Sequence, residues 1–244
     1  LLANGATVLE PNQPGSLKLR DIDLNPTTLG ALWSADGAHL LLARDGRILE
    51  HPLGGGQDRE LAKAPGILRM EDVSRDGKWA LYSRGAMTDA FYAARLDGIA
   101  PDPKPVLQTG QTVINPRFSP DGRWIAYGEL AGDNLNISLY VQPFPGPGLR
   151  QQIAKNGNHP MWRKDGKEII YFTDDSVWSV PMDTAGAQPR ASTPQLLFHT
   201  GPMAQGLTDA NQMAVSADGS RFYLPLTATQ PDSGLIHIRM GNGN

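Results

Sequence analysis

An all-β fold of repeated four-stranded antiparallel blades, a β-propeller, is predicted by three observations on this chain. The first is a repeat: five times an apolar residue is followed four positions on by the glycine of an Asp-Gly turn, at Trp33 and Gly37, Val73 and Gly77, Phe118 and Gly122, Trp162 and Gly166, and Val215 and Gly219. The turn aspartates Asp36, Asp76, Asp121, Asp165 and Asp218 stand 40, 45, 44 and 53 residues apart, close to the period of a propeller blade. The second is a content of 27 glycines and 20 prolines in 244 residues, which leaves no dozen-residue stretch both helically periodic and free of breakers. The third is an acidic complement of 19 Asp against 6 Glu, since Asp caps amides in tight reversals and Glu favours helices.

The elements follow in chain order. In a weak first copy Asn4-Gly5 replaces Asp-Gly, residues 7–9 read as a second strand, and Leu17 and Leu19 alternate in a third. The second copy has strands at 40–43 and 48–53 around the reversal Asp45-Gly46, then a glycine run at 54–56. The third has strands at 79–83, 91–96 and 105–108, with a turn at Asp97-Gly98. The fourth is the fullest. An inner strand at 114–119 enters the turn Ser119-Pro120-Asp121-Gly122, where Pro fixes φ and Gly takes the positive φ that closes a hairpin. Residues 123–129, dense in Trp124, Ile125, Ala126 and Tyr127, read as a strand covered on both faces. After a polar turn at 131–134, Leu135, Ile137, Leu139 and Val141 alternate as a third strand, and a Pro/Gly turn at 143–148 leads to an outer strand at 149–154. The fifth copy gives strands at 168–172, 177–182 and 195–199, and the last gives 221–225 and 235–240.

This division places blades at about 1–27, 28–65, 66–110, 111–156, 157–200 and 201–244 of a single domain. Six blades with ragged ends fit if residues before Leu1 were removed; five blades close if the strand near Leu17 completes the last one. The ends lead us to expect a mature or trimmed fragment.

A net charge of −3 offers no basic stripe to neutralise phosphates, which argues against nucleic acid as partner. The longest apolar runs are too short to span a bilayer, so no membrane insertion is expected. With no cysteine, thiol catalysis and disulfides are excluded. The five histidines form neither an i, i+4 pair nor H-E-x-x-H, and no G-x-S-x-G occurs. No metal, cofactor or catalytic residue is therefore assigned.

Propellers bind ligands where loops enter the innermost strands. Six residues before each turn Asp stand Gly30, Met70, Asn115, His159 and Gln212, of which the last three form a polar arc. Glu71, Asp72 and Arg117 lie beside this column, and Asp209 and Asn211 belong to a loop at 201–211 that lengthens one repeat. The candidate channel-mouth ligand set is thus Glu71, Asp72, Asn115, Arg117, His159, Asp209, Asn211 and Gln212. The plainer reading of each is loop capping or a channel salt bridge. Carboxylate chemistry needs two acids within about 5–10 Å, for which Glu71 has Asp72 or Asp209. The apolar column of Trp33, Val73, Phe118, Trp162 and Val215 reads as packing between blades.

The strings SPDGRWIAYGE, SRDGKWALYS, RKDGKEIIYF and SADGSRFYL resemble the WD-repeat-like unit of TolB-type propellers. The stretch from Leu139 through Pro143, Phe144 and Gly146 to Trp162 and Glu168 is similar to the propeller attached to many bacterial membrane-anchored serine/threonine kinases. Arg163-Lys164 departs from the Ser-Pro of the turn. The resemblance implies a noncatalytic sensor or scaffold, periplasmic or extracellular, that binds a protein, peptide or small molecule at the channel mouth. Within the same family it also implies the alternative of a lyase or hydrolase with a metal or carboxylate at that mouth. No kinase motif is present in the chain.

Overall fold

The computed structural model describes residues 5–13, 16–23, 28–54, 56–67, 69–85, 88–97, 105–130, 136–146, 148–200, 214–215 and 221–223. Every regular element among them is a strand. They run β1 (Gly5–Gln13), β2 (Ser16–Asp23), β3 (Thr28–Trp33), β4 (His39–Arg44), β5 (Arg47–Pro52), β6 (Arg59–Lys63), β7 (Arg69–Val73), β8 (Trp79–Ser83), β9 (Thr88–Arg95) and β10 (Pro105–Phe118). Then come β11 (Trp124–Leu130), β12 (Ile137–Pro143), β13 (Gln151–Ala154), β14 (Asn158–Trp162), β15 (Glu168–Phe172), β16 (Ser176–Asp183), β17 (Arg190–Ala191), β18 (Gln195–His199), β19 (Ala214–Val215) and β20 (Phe222–Tyr223).

The chain divides into two compact units, one of Leu1–Val73, Gly77–Ala86 and Ala93–Lys104, the other of Ser74–Asp76, Met87–Tyr92 and Pro105–Asn244. In the first, β1 and β2 form a hairpin, β3 to β6 form a sheet in sequence order, and β7 pairs with β8, all antiparallel. In the second, β10 to β13 pair in sequence order, β14 to β16 do the same, and both β17 and β18 pair with β16. Sequential antiparallel pairing is what short Gly- and Asp-rich reversals impose, because a parallel crossover needs a dozen or more residues.

The second strand of each well-described repeat is the core. Trp124 through Glu129 are buried without a break, as are Leu40 to Ala43, Ala80 to Ser83 and Ile169 to Phe172. Both faces of these strands are covered, so the apolar run does not alternate. In the second unit one face of the β11–β12–β13 sheet, with Trp124, Ala126, Leu139, Val141 and Ile153, packs on Ile169, Tyr171, Val180 and Met182 of the next repeat.

Two expectations need correction. The strands expected at 105–108 and 114–119 are one 14-residue strand, β10, whose first part pairs with β9 and whose second part pairs with β11. Gly110, at φ +75°, turns the chain between them without ending the strand. In the apolar column Phe118 is buried against Phe144 at 4.9 Å, and Trp162 and Val215 pack on buried clusters. Trp33, however, is 45% exposed and is not a buried packing residue.

The Asp-Gly turns share one device. Ser119 Oγ donates to Asp121 Oδ1 at 2.6 Å and accepts the Trp124 N–H at 3.0 Å, and Ser34 and Asp36 repeat the arrangement with the His39 N–H. In the fourth turn Arg163 replaces that serine. The reversal still closes, with Gly166 N–H donating to Arg163 O at 2.9 Å and Gly166 at φ +71° as in the serine turns, while the Arg163 guanidinium bridges Asp165 at 3.4 Å and Glu168 at 3.0 Å. Burial alone would raise the Asp121 carboxyl, but the Ser119 hydroxyl and the Arg123 guanidinium outweigh it and hold it below the ordinary value. Its stabilising ionisation is therefore present above the unfolded pKa and lost as pH falls through the folded one. Ser119→Ala leaves the Trp124 N–H without its acceptor, and is expected to cost about 1–2 kcal/mol at pH 7 and to move acid unfolding to higher pH. Urea titrations of both chains across the acid range check this; an unchanged midpoint at pH 7 would refute the role given to the hydroxyl.

Candidate functional site

Four of the described inner strands, β3, β7, β10 and β14, carry one extra residue. Between Ile114 and Arg117, β10 advances three positions while β11 advances two, from Gly128 to Ala126. The same slip falls between Asn158 and Met161 of β14, between Met70 and Asp72 of β7, and between Thr28 and Gly30 of β3. These are β-bulges, which bend a strand and re-aim a side chain. Two of them contain proline, Pro116 and Pro160, which has no N–H for the ladder. The residues before these prolines, Asn115 and His159, take left-handed φ values of 52° and 50°. Asn and His tolerate that region better than most side chains.

The bulges decide where the candidate residues lie. Asn115 and His159 are buried, at 2% and 3% exposure, although both are polar. Within the second unit Asn115 Nδ2 donates to Asn158 Oδ1 at 2.9 Å, and that oxygen also accepts the backbone N–H of His159 at 2.8 Å. Asn115, Asn158 and His159 thus form one polar cluster across β10 and β14. Arg117 donates from Nη1 to the carbonyl of Pro116 at 3.2 Å.

In the first unit Glu71 occupies the β7 bulge and is buried at 4% exposure. Arg69 grips it with two bonds, Nε to Oε1 at 2.9 Å and Nη2 to Oε2 at 3.0 Å, and the Ser83 hydroxyl donates to Oε1 at 3.0 Å. Asp72 follows in β7, half-buried and paired in register with Leu81. Asp209, Asn211, Gln212 and the loop at 201–211 lie outside the described residues.

Sequence reasoning missed Asn158 and Arg69. Asn158 was legible in retrospect: Asn-His-Pro at 158–160 matches Ile-Asn-Pro at 114–116, each proline standing five residues before its turn Asp. A second polar group in the second unit was also missed. Arg150 is bonded to the Glu129 carboxylate and lies 4.6 Å over the Tyr140 ring, which stacks on Tyr127 at 5.8 Å. Burial pushes the Tyr127 hydroxyl up to about 12 against the opposing pull of Arg150.

At the turn end of the same inner strands a cleft of about 250 Å³ is lined by Arg75, Ser119, Asp121, Asp165 and Thr184. Arg75 closes part of it by donating to the Lys164 carbonyl at 3.1 Å. Its two carboxylates are already bound to Arg123 and Arg163. Among the described residues no three His, Asp or Glu side chains gather as a metal-binding group.

No protein-family model matches the chain, and no curated protein does. Solved structures do. An oligogalacturonate lyase in complex with manganese superposes with a TM-score of 0.60 at 13% identity, over 94% of this chain and 69% of that one. TolB from Acinetobacter baumannii gives 0.57 at 16% identity over 87% of this chain, which spans 54% of TolB. A functionally unknown protein from Desulfotomaculum acetoxidans gives 0.61 at 14% identity, over 91% and 72% of the two chains. At such identities what is shared is architecture, and with the antiparallel repeats described above it establishes that this chain has an all-β propeller fold.

Proposed function

We propose that the chain is a noncatalytic recognition propeller that takes a protein or peptide segment at the bulged ends of its inner strands. The carrying observation is the pair of buried polar residues, Asn115 and His159, held at repeat-equivalent bulges in a backbone region that side chains rarely adopt. The left-handed φ explains why Asn and His are tolerated at these positions, but stability alone does not call for burying a polar side chain at both bulges, since burial of polar groups costs free energy. Residues kept at that cost are most simply understood as aimed at a ligand.

The enzymatic alternative has less support. The lyase among the similar structures is described with manganese. The described residues here do not fit such an ion: Glu71 is committed to Arg69 and Ser83, and no three donor side chains converge. The resemblance to kinase-attached propellers and to TolB supports a sensor or scaffold role outside the cytoplasm, in the periplasm or at the cell surface.

The test is retention of array peptides by the immobilised chain, compared with His159→Ala. We expect a subset of peptides to be held and their affinity to drop about tenfold in the variant, the loss that follows from removing one good polar contact. Equal retention by both chains would sink the assignment of the site. A stoichiometric metal whose chelation lowers the melting temperature would instead restore the enzyme reading.

A further inference from the structure

The hydrogen bonds of the Asn115–Asn158 cluster fix which atom of each carboxamide is which. The backbone N–H of His159 can only donate, so the Asn158 atom it meets at 2.8 Å is the oxygen. That oxygen in turn faces Asn115 at 2.9 Å, so the Asn115 atom there is the nitrogen. The remaining atoms follow by elimination. Asn115 keeps Oδ1, an acceptor, and Asn158 keeps Nδ2, a donor, and neither is hydrogen-bonded to any described residue. Asn115 is 2% exposed and Asn158 half-buried, yet the unbonded Asn115 oxygen is not among the sealed polar atoms of the described residues, so a ligand can reach it.

One neutral acceptor and one neutral donor, tied together by a shared hydrogen bond, complement a ligand that supplies one N–H and one C=O. We infer that this carboxamide pair binds the main chain of an extended, uncharged peptide segment, the ligand N–H donating to Asn115 Oδ1 and its C=O accepting from Asn158 Nδ2. In an extended segment the N–H and C=O of one residue leave from the same edge, as they do when a strand pairs with its neighbour. The edge of a nucleobase carries a similar donor and acceptor, but a chain of net charge −3 without a basic stripe has nothing to hold the phosphates that accompany it. The assignment rests on the recognition reading above and names its ligand chemistry. Asn158→Asp isolates it. The carboxylate still accepts from His159 N–H and Asn115 Nδ2, so the bulge keeps its bonds, while the remaining donor becomes a charged acceptor that repels a ligand carbonyl.

The experiment is a titration of the isotopically labelled full chain with N-acetyl-trialanine-N′-methylamide, following the side-chain carboxamide NMR signals of Asn115 and Asn158. Both should shift saturably. The fully N-methylated peptide, which keeps every carbonyl and has no N–H, should bind at least about tenfold more weakly, as should the parent peptide to Asn158→Asp. The melting temperature of Asn158→Asp should stay near that of the parent chain, which separates lost contact from lost fold. Undiminished binding to Asn158→Asp, equal binding of the N-methylated peptide, or the same carboxamide shifts produced by uridine would overturn the assignment. Peptide-induced shifts confined to other residues would also overturn it, yet would leave the recognition reading standing. That reading falls only if no peptide shifts any signal and the His159→Ala comparison fails as well.

Discussion

Trp124→Ala is expected to remove about 3–5 kcal/mol from the unfolding free energy and to lower the melting temperature by on the order of 10 °C. Trp124 is 3% exposed and stands in the cluster where β11, β12 and β13 meet the sheet of the following repeat. Deleting the indole removes its transfer free energy and leaves a cavity lined by side chains from two sheets. Their backbones are tied into ladders, so collapse into the space is limited. A control separates volume from polarity. The Trp124 indole N–H meets no acceptor among the described residues, so Trp124→Phe loses less volume and also discards a donor that is costly to bury. It should cost about 1–2 kcal/mol. Urea denaturation followed by far-ultraviolet circular dichroism gives both values. A loss below about 1 kcal/mol for the alanine variant would mean that the two sheets do not depend on this contact.

Arg150→Met should be the most damaging charge substitution. Glu129 sits near the end of β11 with its side chain 6% exposed, and Arg150, 42% exposed, supplies its cation. Removing the guanidinium strands a buried carboxylate, for which about 3 kcal/mol is expected, the lower end of the range because Arg150 is itself partly solvated. Glu129→Gln combined with Arg150→Met should recover most of that loss, since no buried charge then remains. If the double variant is no more stable than the single, the damage lies in lost packing of the Arg150 stem on Tyr140 and the ion pair is not its cause. The neighbouring phenol gives a second readout. Tyr127 is an acid whose folded pKa is raised by burial from 10.0 to about 12. The unfolded chain therefore loses this proton first, and stability falls as pH rises from the ordinary tyrosine value toward about 12. Arg150 favours the phenolate, so Arg150→Met should push the Tyr127 titration higher still.

Much of this architecture is written in the turns. An Asp-Gly step at a 40- to 53-residue spacing specifies where each hairpin reverses, because only a few residue types accept the dihedral angles a tight turn demands. An unbroken apolar run such as Trp124 to Tyr127 specifies a strand covered on both faces. The substituted turn at Arg163, a departure from the Ser-Pro pattern, closes as well, since Gly166 keeps its place. Local chemistry was also enough to mark Asn115 and His159 as a repeat-equivalent polar column. It did not reveal that both sit on bulges, although the following prolines carried that signal.

What sequence could not supply were the partners of each side chain, which depend on register and on contacts between distant strands. Glu71 and Asp72 were grouped with Arg117 because all three lie beside the column that precedes the turns, yet Glu71 is gripped by Arg69 from its own strand and by Ser83 from the next. The bulge at β7 shifts register by one residue, and one residue is enough to exchange the two faces of a strand. Asn158 joins Asn115 from 43 residues away only because β10 and β14 come together. The sequence by itself determined the fold class, the repeat and the places of its reversals, all governed by local dihedral preference and apolar pattern. Tertiary structure alone decided which polar groups are neutralised and which keep a donor or acceptor to offer, because hydrogen bonding and burial are properties of neighbours that the chain brings together only when it folds.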